Sequence, residues 1–578
     1  MDFRWWDETH ATLWRIAESA ELLAARNNAR QTAREKLTPL LDQANPSHKW
    51  TEEKARALRA LDAQGMTRIL APAHDGLTQR LALTVWELAS VDAGVATCSL
   101  SGSLAQMPIC DFGTEPQRDR YLGSAELRHG ALCLTEPLPG AGAEATFLSG
   151  RMSLAGAGAD GEALLEIHKR GRFISHMDFA EFVVAAVEGD GKGVRGSGLV
   201  ILEPGDAGEF ERGAPVRKLG HRFASTTNPV FHLTVPASRI VGGYTMEKGA
   251  IVPRFSHRVL LEPALRRMRA LLALMTAAKA LSTVQEWFAS TVQKSHDAEF
   301  RLSMADLWAT GEAAASLGFL AARLSDKLDE AEHPSGSDAN LAALFSPAAK
   351  LFSSSHIPKC LQQVAAWDEC GNAGDLHSRL VDAQIEDMYM GPAALQRRLV
   401  SVAMADAHFL SEFQGWTLEM DSLATRAPRA GMRSLAEGMR LWQWTLEQLR
   451  QQVDARGVRL FCDARQGVTF AMAEALCELL AARSLALDVL ELDRNPQGRE
   501  FAALFGDLSI LAAGRSAAHA SQICSELLCG YAERFPISAT ARDAFARQRA
   551  SLYASLQGTM DARERIAEFL RQAPFQKH

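Results

Sequence analysis

The segment Ala131-Leu132-Cys133-Leu134-Thr135-Glu136-Pro137 is the stretch of sequence that indicates the fold. Its apolar start predicts a short strand, and Pro137 ends that strand because proline cannot donate a ladder hydrogen bond. The small residues Gly140, Ala141 and Gly142 come next and are typical of a turn. The segment therefore predicts one strand of a β region, followed by a small-residue turn.

Similar β-like runs continue through the region from about residue 128 to residue 243. They include RFISHMDFAEFVVAAVE, GLVILEP and NPVFHLTVPASRIVG, which are separated by turn signals such as Gly189-Asp190-Gly191. On both sides the sequence changes to Ala- and Leu-rich segments with apolar residues three or four positions apart, which predict helices. Because strands and helices do not alternate strictly, the sequence predicts an α+β fold.

Four segments follow from this order. We expect an N-terminal helical domain at 1–125, a β domain at 126–245, a helical bundle at 246–425 and a C-terminal helical extension at 426–578. The Pro- and Gly-containing run ATRAPRAGM supplies the last boundary. The letters G-x-G-x-x-G also occur, from Gly156 to Gly161, but no βαβ unit surrounds them. They predict a hairpin turn instead of a dinucleotide site.

Composition restricts the class of protein. The chain has 578 residues, 47% of them hydrophobic and 23% charged, which is typical of a globular protein. A net charge of -7 without a long basic run argues against nucleic acid as a partner. The start MDFRWWDETH lacks the pattern of a signal peptide, and the nine cysteines are odd in number and without C-x-x-C spacing. We therefore expect a cytoplasmic protein with reduced thiols.

Three segments, in the same order along the chain, resemble the acyl-CoA dehydrogenase family. The run ending in Thr135-Glu136-Pro137 resembles the strand that opens the family's β domain. The run Arg172-Phe173-Ile174-Ser175-His176 resembles its Trp-Ile-Thr-Asn strand. Lys218-Leu219-Gly220-His221-Arg222, followed by Ser225-Thr226, resembles its K-x-G-x-R segment with the Ser/Thr pair behind it.

The second helical block continues the resemblance. The run from Pro253 to Arg258 is similar to the start of the family's long helix, and Cys370-Gly371-Asn372-Ala373-Gly374 resembles its Gly-rich turn. The run from Val381 to Arg397 resembles the family's segment R-D-A-x-I-x-x-I-Y-E-G-T-x-x-I-Q-R. The resemblance covers roughly residues 50 to 405, and the region after about residue 430 looks like the extension of the long-chain members.

The resemblance implies a fold, a cofactor and a reaction. The fold would be a helical domain, a β-barrel-like domain, a four-helix bundle and an additional helical domain. The cofactor would be FAD, and the reaction would remove the α-proton of an acyl-CoA thioester and transfer the β-hydride to the flavin. Such chemistry needs hydrogen-bond donors near flavin N5 and O4, because they stabilise the negative charge of the reduced ring.

The resemblance also implies cofactor-binding and substrate-binding roles for specific residues. The residues expected to bind the cofactor are Leu134, Thr135, Phe173, Ser175 and Gly371. In this set the Leu134 backbone, Thr135 and Ser175 would supply hydrogen bonds, and Phe173 an apolar wall. The residues expected to bind the substrate are Ala141, Arg258, Tyr389, Met390 and Gly391.

The sequence departs from the family at the catalytic base. The family has a Glu between the Tyr and Gly of its Y-E-G-T segment, whereas this chain has Met390, whose thioether cannot accept a proton. Some members, isovaleryl-type enzymes among them, carry the base one residue before the Arg of the long helix. The matching residue is His257, and we expect it, or a nearby carboxylate such as Glu262, to act as the base.

Other family positions have also changed. Pro392 replaces a Thr beside the flavin, while Thr291 and Lys294-Ser295 correspond to the Arg and Phe-Gly that reach a neighbouring subunit's flavin. An arginine can hold a pyrophosphate with two hydrogen bonds and a threonine cannot. We therefore expect the adenine dinucleotide half of FAD to be held differently from the family pattern.

Three functions stay open at the level of sequence. The first is an active FAD-dependent acyl-CoA dehydrogenase-like oxidoreductase of fatty acid metabolism. The second is a non-catalytic or half-site subunit of a heteromeric enzyme, and the third is a flavoprotein of this fold with different chemistry. The expected partners are an acyl-CoA thioester, electron-transfer flavoprotein or a similar acceptor, and a second copy in a homodimer or other homo-oligomer. A paralogous subunit is the alternative.

Overall fold

A computed structural model describes twelve ranges of the chain: 4–17, 19–44, 48–69, 76–123, 128–137, 148–159, 161–289, 297–333, 335–367, 373–426, 430–494 and 500–572. Within them, helices precede and follow a central set of strands, so the predicted α+β class is confirmed. None of the helices in these ranges is both long enough and apolar enough to cross a membrane.

The chain begins with short and medium helices. They are α1 Arg4–Leu13, α2 Ala20–Gln31, α3 Thr38–Ala44, α4 Glu52–Asp62, α5 Leu77–Val91, α6 Ala93–Phe112 and α7 Glu115–Tyr121. The polar side chains before two of them cap the first turn: Thr51 accepts from the Lys54 N–H, and Asp92 accepts from the Val95 N–H at 2.8 Å. The sequence thus starts α4 and α6 where helix capping predicts.

The β region contains eleven strands within the described residues. They are β1 Gly130–Cys133, β2 Arg151–Ala157, β3 Ala163–Arg170, β4 Ile174–Ser175, β5 Phe182–Gly189, β6 Ser197–Leu202, β7 Ala207–Glu211, β8 Thr226–Thr227, β9 Val230–Pro236, β10 Tyr244–Glu247 and β11 Ala250–Pro253. Seven of them form one mixed sheet in the order β1-β5-β2-β3-β9-β7, with β6 also paired to β5. Because β1 and β6 pair with the same residues of β5, they lie on opposite edges of that strand.

Two hairpins of the β region can be compared with the sequence analysis. The last strand ends at Pro253, beyond the expected limit of 245, because β10 and β11 form an antiparallel hairpin. Its turn residues Lys248 and Gly249 have φ of +50° and +79°, the backbone conformation of a type I′ hairpin turn. The glycines from 156 to 161 lie at the β2–β3 hairpin, as the sequence predicts, where the Gly161 N–H donates to the Gly158 carbonyl.

Long helices follow the sheet. They are α8 His257–Ala289, α9 Ala298–Glu330, α10 Gly336–Ala365, α11 Ala373–Glu386, α12 Ala393–Ala405, α13 Phe409–Arg426, α14 Met432–Gln451, α15 Gln466–Arg494, α16 Ala502–Gly530, α17 Ala539–Ser555 and α18 Thr559–Gln572. Buried apolar side chains dominate the long helices. A buried polar network joins α1 to α9, in which Glu312 accepts from the Trp308 indole at 2.9 Å and lies 2.9 Å from the His10 ring.

The chain divides into two compact units. The sheet unit consists of residues 24–271 together with the short segment 388–392. The helical unit consists of residues 1–23, 272–387 and 393–578. The segment 388–392 therefore groups with the sheet unit although both flanking helices belong to the other one.

Candidate active site

The end of β1 and the segment before β4 lie side by side in the sheet unit. The Arg172 N–H donates to the Thr135 carbonyl at 2.9 Å. Gly171 permits this approach, because a Cβ at this position would lie 2.8 Å from Cys133 Sγ and 2.8 Å from Ile174 Cγ1. The hydrogen bond thereby brings the segments of Thr135 and Ser175, which are both half-buried, to neighbouring positions.

The backbone around β4 has an unusual conformation. Phe173 and His176 have φ of +56° and +70°, a region that costs non-glycine residues roughly 1–2 kcal/mol each. The Asn228 side-chain oxygen accepts from the Phe173 N–H at 2.9 Å and helps to hold this geometry. As a result the Phe173 ring is 48% exposed, with the Arg172 guanidinium 4.7 Å from its centre. Strained backbone of this kind is typical of functional sites.

A shallow cleft of about 300 Å³ opens at the same place. Pro137, residues 170–172 and residues 228–230 line it. Arg170 and Arg172 are both exposed, so the cleft carries two positive charges next to the Thr135 strand end. Such a cleft can bind an anionic group by charge-assisted hydrogen bonds.

A buried ion pair lies behind Thr135. The Lys169 ammonium donates to the Glu136 carboxylate, and both side chains are almost completely buried. The N–H groups of Ser149 and Gly150 donate to the same carboxylate. Burial alone would raise the pKa of Glu136, but the hydrogen bond and charge of Lys169 and these two N–H groups outweigh it and hold the pKa below its ordinary value. The glutamate next to Thr135 is therefore ionised and occupied by structural partners.

The K-x-G-x-R segment also contacts β4. Ser175 pairs with Thr226 in the two-stranded sheet β4–β8, and the Lys218 ammonium donates to the Thr226 hydroxyl at 3.0 Å. The Ser225 hydroxyl donates to the Asp178 carboxylate. Three segments that the sequence analysis selected separately therefore meet around Ser175.

The segment Tyr389-Met390-Gly391 packs within the sheet unit. Met390 and Gly391 have φ of +55° and +87°, so the chain turns sharply after α11. The Tyr389 hydroxyl lies 3.4 Å from Nδ1 of His221, and the two rings meet edge to face with centres 5.5 Å apart. Thr97 on α6 places its hydroxyl 2.8 Å from the same nitrogen. His221 and Thr97 were not selected from the sequence as site residues.

The predicted base lies elsewhere on the sheet. His257 is the first residue of α8 and is buried, with Nδ1 2.7 Å from the Ser197 hydroxyl. Ser197 belongs to β6, across β5 from β1, so roughly 10 Å of sheet separates it from the strand end that carries Thr135. Arg258 is exposed, and Glu262 is exposed with its carboxylate 3.5 Å from Arg266.

The N-terminal helical region matches a known domain over residues 19–125. The family model "Acyl-CoA dehydrogenase, N-terminal domain" matches residues 19–125. A short-chain specific acyl-CoA dehydrogenase of Megasphaera elsdenii is 37% identical over 165 residues. The match covers 28% of this chain and 41% of that protein. The resemblance to the acyl-CoA dehydrogenase family is therefore confirmed for the N-terminal domain.

Solved structures share the fold of this chain. An acyl-CoA dehydrogenase from Bacillus anthracis complexed with FAD aligns with a TM-score of 0.77 at 15% identity, covering 97% of this chain and 96% of that one. Butyryl-CoA dehydrogenase from Megasphaera elsdenii aligns with a TM-score of 0.53 at 22% identity, over 67% and 98% of the two chains. Nitroalkane oxidase from Podospora anserina aligns with 0.54 at 17% identity, over 68% and 97%.

Several of the site positions predicted from the sequence lie outside the part of the chain that the structure describes. Ala141, Gly371 and Thr291 lie outside the described residues, as do Lys294 and Ser295. The structure does describe Leu134, Thr135, Phe173 and Ser175, and the Arg172–Thr135 backbone hydrogen bond joins their two segments. His221 came from outside the predicted set, and the signal that identifies it is an imidazole at the variable position of K-x-G-x-R.

Proposed function

We propose that the protein is an FAD-dependent oxidoreductase acting on an acyl-CoA thioester, with removal of the α-proton and transfer of the β-hydride to the flavin. One observation carries the proposal: the Thr135 strand end and the Ser175 strand lie side by side next to a cleft with two exposed arginines. The match to the family's N-terminal domain and the FAD complex of the Bacillus anthracis protein support it.

The residues at this site fit FAD chemically. An isoalloxazine ring needs an apolar wall and hydrogen-bond donors, and the pyrophosphate needs cations. The exposed Phe173 ring supplies the wall, while the Thr135 and Ser175 hydroxyls and the Leu134 and Thr135 backbone supply donors. Arg170 and Arg172 supply two guanidinium groups within the same cleft. These arginines offer the pyrophosphate contact that Thr291 cannot.

Residues of this chain would bind and orient the flavin. A bound flavin would supply the hydride acceptor. The Thr135 and Ser175 hydroxyls would donate hydrogen bonds to the ring, and the Lys169–Glu136 pair would hold the strand end that carries Thr135. Preorganised donors of this kind stabilise developing negative charge without further rearrangement. The Phe173 ring covers apolar surface and excludes water.

Met390 cannot act as the proton acceptor of this reaction. Loss of a positioned base typically lowers the rate by about 10²–10⁴. His257, proposed from the sequence, is an imidazole that can accept a proton, and its Nδ1 faces Ser197. The substrate contacts proposed for Arg258, Tyr389 and Gly391 would place the thioester between α8 and the segment 388–392. Ala141 and Gly371 remain proposed ligand contacts on the basis of the sequence.

Further proposals concern the cellular role. We propose a cytoplasmic enzyme of fatty acid metabolism that works as a homodimer and passes electrons to electron-transfer flavoprotein or a similar acceptor. Met390 also favours a second candidate, a half-site subunit whose partner chain provides the glutamate. The nitroalkane oxidase neighbour favours a third, the same flavin site used for different chemistry.

Cofactor uptake tests the proposal first. The purified protein is incubated with excess FAD, separated from free flavin by gel filtration, and its absorption spectrum is recorded. We expect flavin bands that elute with the protein. Protein that elutes colourless contradicts the proposal. Purification of the tagged chain from its own host tests the half-site alternative, which requires a second, glutamate-bearing chain of the same family in the eluate.

A further inference from the structure

We propose that His221 is the proton acceptor that replaces the carboxylate missing at Met390. This inference rests on the proposed function, because it names the base of the same reaction. His221 lies in the sheet unit together with the segment 388–392, where the family carries its glutamate. Its Nδ1 lies 3.4 Å from the hydroxyl of Tyr389, and Tyr389 immediately precedes Met390.

Contacts from two directions hold the His221 ring. The Tyr389 hydroxyl lies 3.4 Å from Nδ1, and the Thr97 hydroxyl lies 2.8 Å from the same atom. Gly94, near the start of α6, fixes this helix against the segment after His221, because an added Cβ there would lie only 2.9 Å from Phe223 Cβ. The helix that carries Thr97 and the segment that carries His221 are therefore in close contact.

These contacts define which nitrogen is basic. A threonine hydroxyl and a tyrosine hydroxyl can both donate to Nδ1. In the tautomer with its proton on Nε2, Nδ1 accepts these hydrogen bonds and is the basic nitrogen. Nδ1 thus faces the Tyr389 hydroxyl.

The surroundings of His221 contain fixed charges of both signs. Lys54 on α4 is buried and donates to the Arg222 carbonyl at 2.5 Å. Burial lowers the pKa of Lys54 to about 8, against the opposing influence of Cys98, Asp92 and Asp178. Lys218 lies on the same segment as His221, and its ammonium is held by the Thr226 hydroxyl.

Neighbouring histidines are weaker candidates for this role. His176 is completely buried, and burial followed by the charge of His129 lowers its pKa to about 3. His129 itself points to Asp62, with 3.2 Å between Nε2 and the carboxylate. His257 contacts Ser197 on the far side of β5. Within the described residues, His221 is the imidazole that combines burial with contact to Tyr389.

The proposed step is a simple proton transfer. The α-C–H bond of the thioester breaks, its electron pair stays on the carbon as the enolate, and the proton forms a bond to Nδ1 of His221. The hydride from the β-carbon goes to the oxidised flavin, as in the proposed function. The product is the α,β-unsaturated thioester, with an imidazolium at His221 and a reduced flavin.

Exchange of the α-hydrogens with solvent tests this step without requiring turnover. FAD-loaded protein is incubated in D2O with short-, medium- and long-chain saturated acyl-CoA thioesters, and α-deuteration is measured by mass spectrometry across pH. His221→Asn is the variant of choice, because His221 has φ of +51° and asparagine tolerates this conformation. His129→Asn is the matched control, since it removes a hydrogen-bonded histidine of the same unit.

The expected results are specific. In the unmodified protein and in His129→Asn, exchange rises with pH through one limb, because the base must lose its proton before it can act. In His221→Asn the limb disappears and exchange falls by about 10²–10⁴, while flavin absorbance shows that the variant is folded and loaded. Unchanged exchange in loaded His221→Asn overturns the inference, as does loss of the limb in His257→Asn instead. Unmodified protein without flavin uptake, or loaded but without exchange, overturns the proposed function together with the inference.

Discussion

The backbone N–H of Arg172 lies 2.9 Å from the carbonyl oxygen of Thr135, to which it donates a hydrogen bond. This bond joins the segment that ends in Pro137 to the segment that begins at Arg172. In the sequence the two segments are separate motifs. Arg172 and Pro137 also line the same cleft. The cofactor contacts and the anion-binding cleft are therefore parts of the same local structure.

Replacing both cleft arginines tests the proposed pyrophosphate contact. We expect Arg170→Ala combined with Arg172→Ala to weaken FAD binding by about tenfold per arginine, since hydrogen bonds to charged groups contribute about 1.5–3 kcal/mol. Riboflavin, which has no phosphate, should bind equally well to both forms. Quenching of flavin fluorescence measures each affinity. Arg59→Ala, which removes an exposed arginine of α4, is the control. If the double variant lost riboflavin affinity to the same extent, the loss would come from altered folding. That result would contradict the proposed pyrophosphate contact.

Restoring a carboxylate at position 390 tests the consequence of the methionine. In the His221→Asn background, we expect Met390→Glu to increase anaerobic flavin reduction by an acyl-CoA thioester by about 10² or more, because a positioned base has that effect. Met390→Gln has nearly the same shape without a basic group and should leave the rate unchanged. Stopped-flow absorbance measures the rates. Equal rates in the two variants would mean that position 390 does not face the reacting carbon.

The Glu136–Lys169 pair should stabilise the sheet unit. Glu136→Gln leaves the Lys169 ammonium buried without its counter-charge, and we expect a loss of about 3–5 kcal/mol in the free energy of unfolding. Adding Lys169→Met should recover most of it. Because the pKa of Glu136 is depressed in the folded protein, its contribution is present above about pH 4.3 and is lost as pH falls through the folded value. Urea unfolding of the three forms measures this, and a double variant no more stable than Glu136→Gln would argue against the pair.

A second buried carboxylate should make the helical unit sensitive to pH. Glu478 on α15 lies 2.7 Å from His519 of α16 and 3.3 Å from His356 of α10. Burial would raise the pKa of Glu478, but the hydrogen bonds from these imidazoles lower it to about 2. The hydrogen bond to Glu478 raises the pKa of His519 against the effect of burial, with Glu474 adding to it and Lys359 opposing it.

The two shifts define one pH window. The contribution of His519 is complete below about pH 6.5 and is lost as pH rises through the raised value. The contribution of Glu478 is complete above about pH 4.3 and is lost only as pH falls through about 2. We therefore expect Glu478→Gln to lower Tm more at about pH 5.5 than at about pH 9. A Tm difference that does not change with pH would contradict this.

The sequence predicts well the parts of the site that local patterns control. Thr135 and Ser175 come together because Gly171 and the two strand ends are encoded within short segments, and both segments have recognisable motifs. The β10–β11 hairpin was missed because its turn depends on the positive φ of Lys248, which has no propensity signal. The run RFISHMDFAEFVVAAVE, which is β-like in the sequence, forms two separate strands, β4 and β5. The strained backbone at Phe173 and His176 interrupts the run.

The candidate base shows the limit of sequence reasoning. His257 was selected because it adjoins Arg258 in a family motif, yet its contact with Ser197 depends on strand pairing that no local pattern reveals. His221 was within a quoted motif, but its significance depends on Tyr389, which is 168 positions away. A return of the segment 388–392 to the sheet unit creates that contact. Only the folded chain shows that these two residues meet.

Anaerobic titration of the FAD-loaded protein with acyl-CoA thioesters tests the central claim most directly. The visible flavin absorbance is recorded before and after each addition, with short-, medium- and long-chain saturated thioesters tested in turn. The account predicts that at least one of them bleaches the flavin bands and that the corresponding α,β-unsaturated thioester appears. A bound flavin that no chain length bleaches, in protein purified without a partner chain, would contradict it.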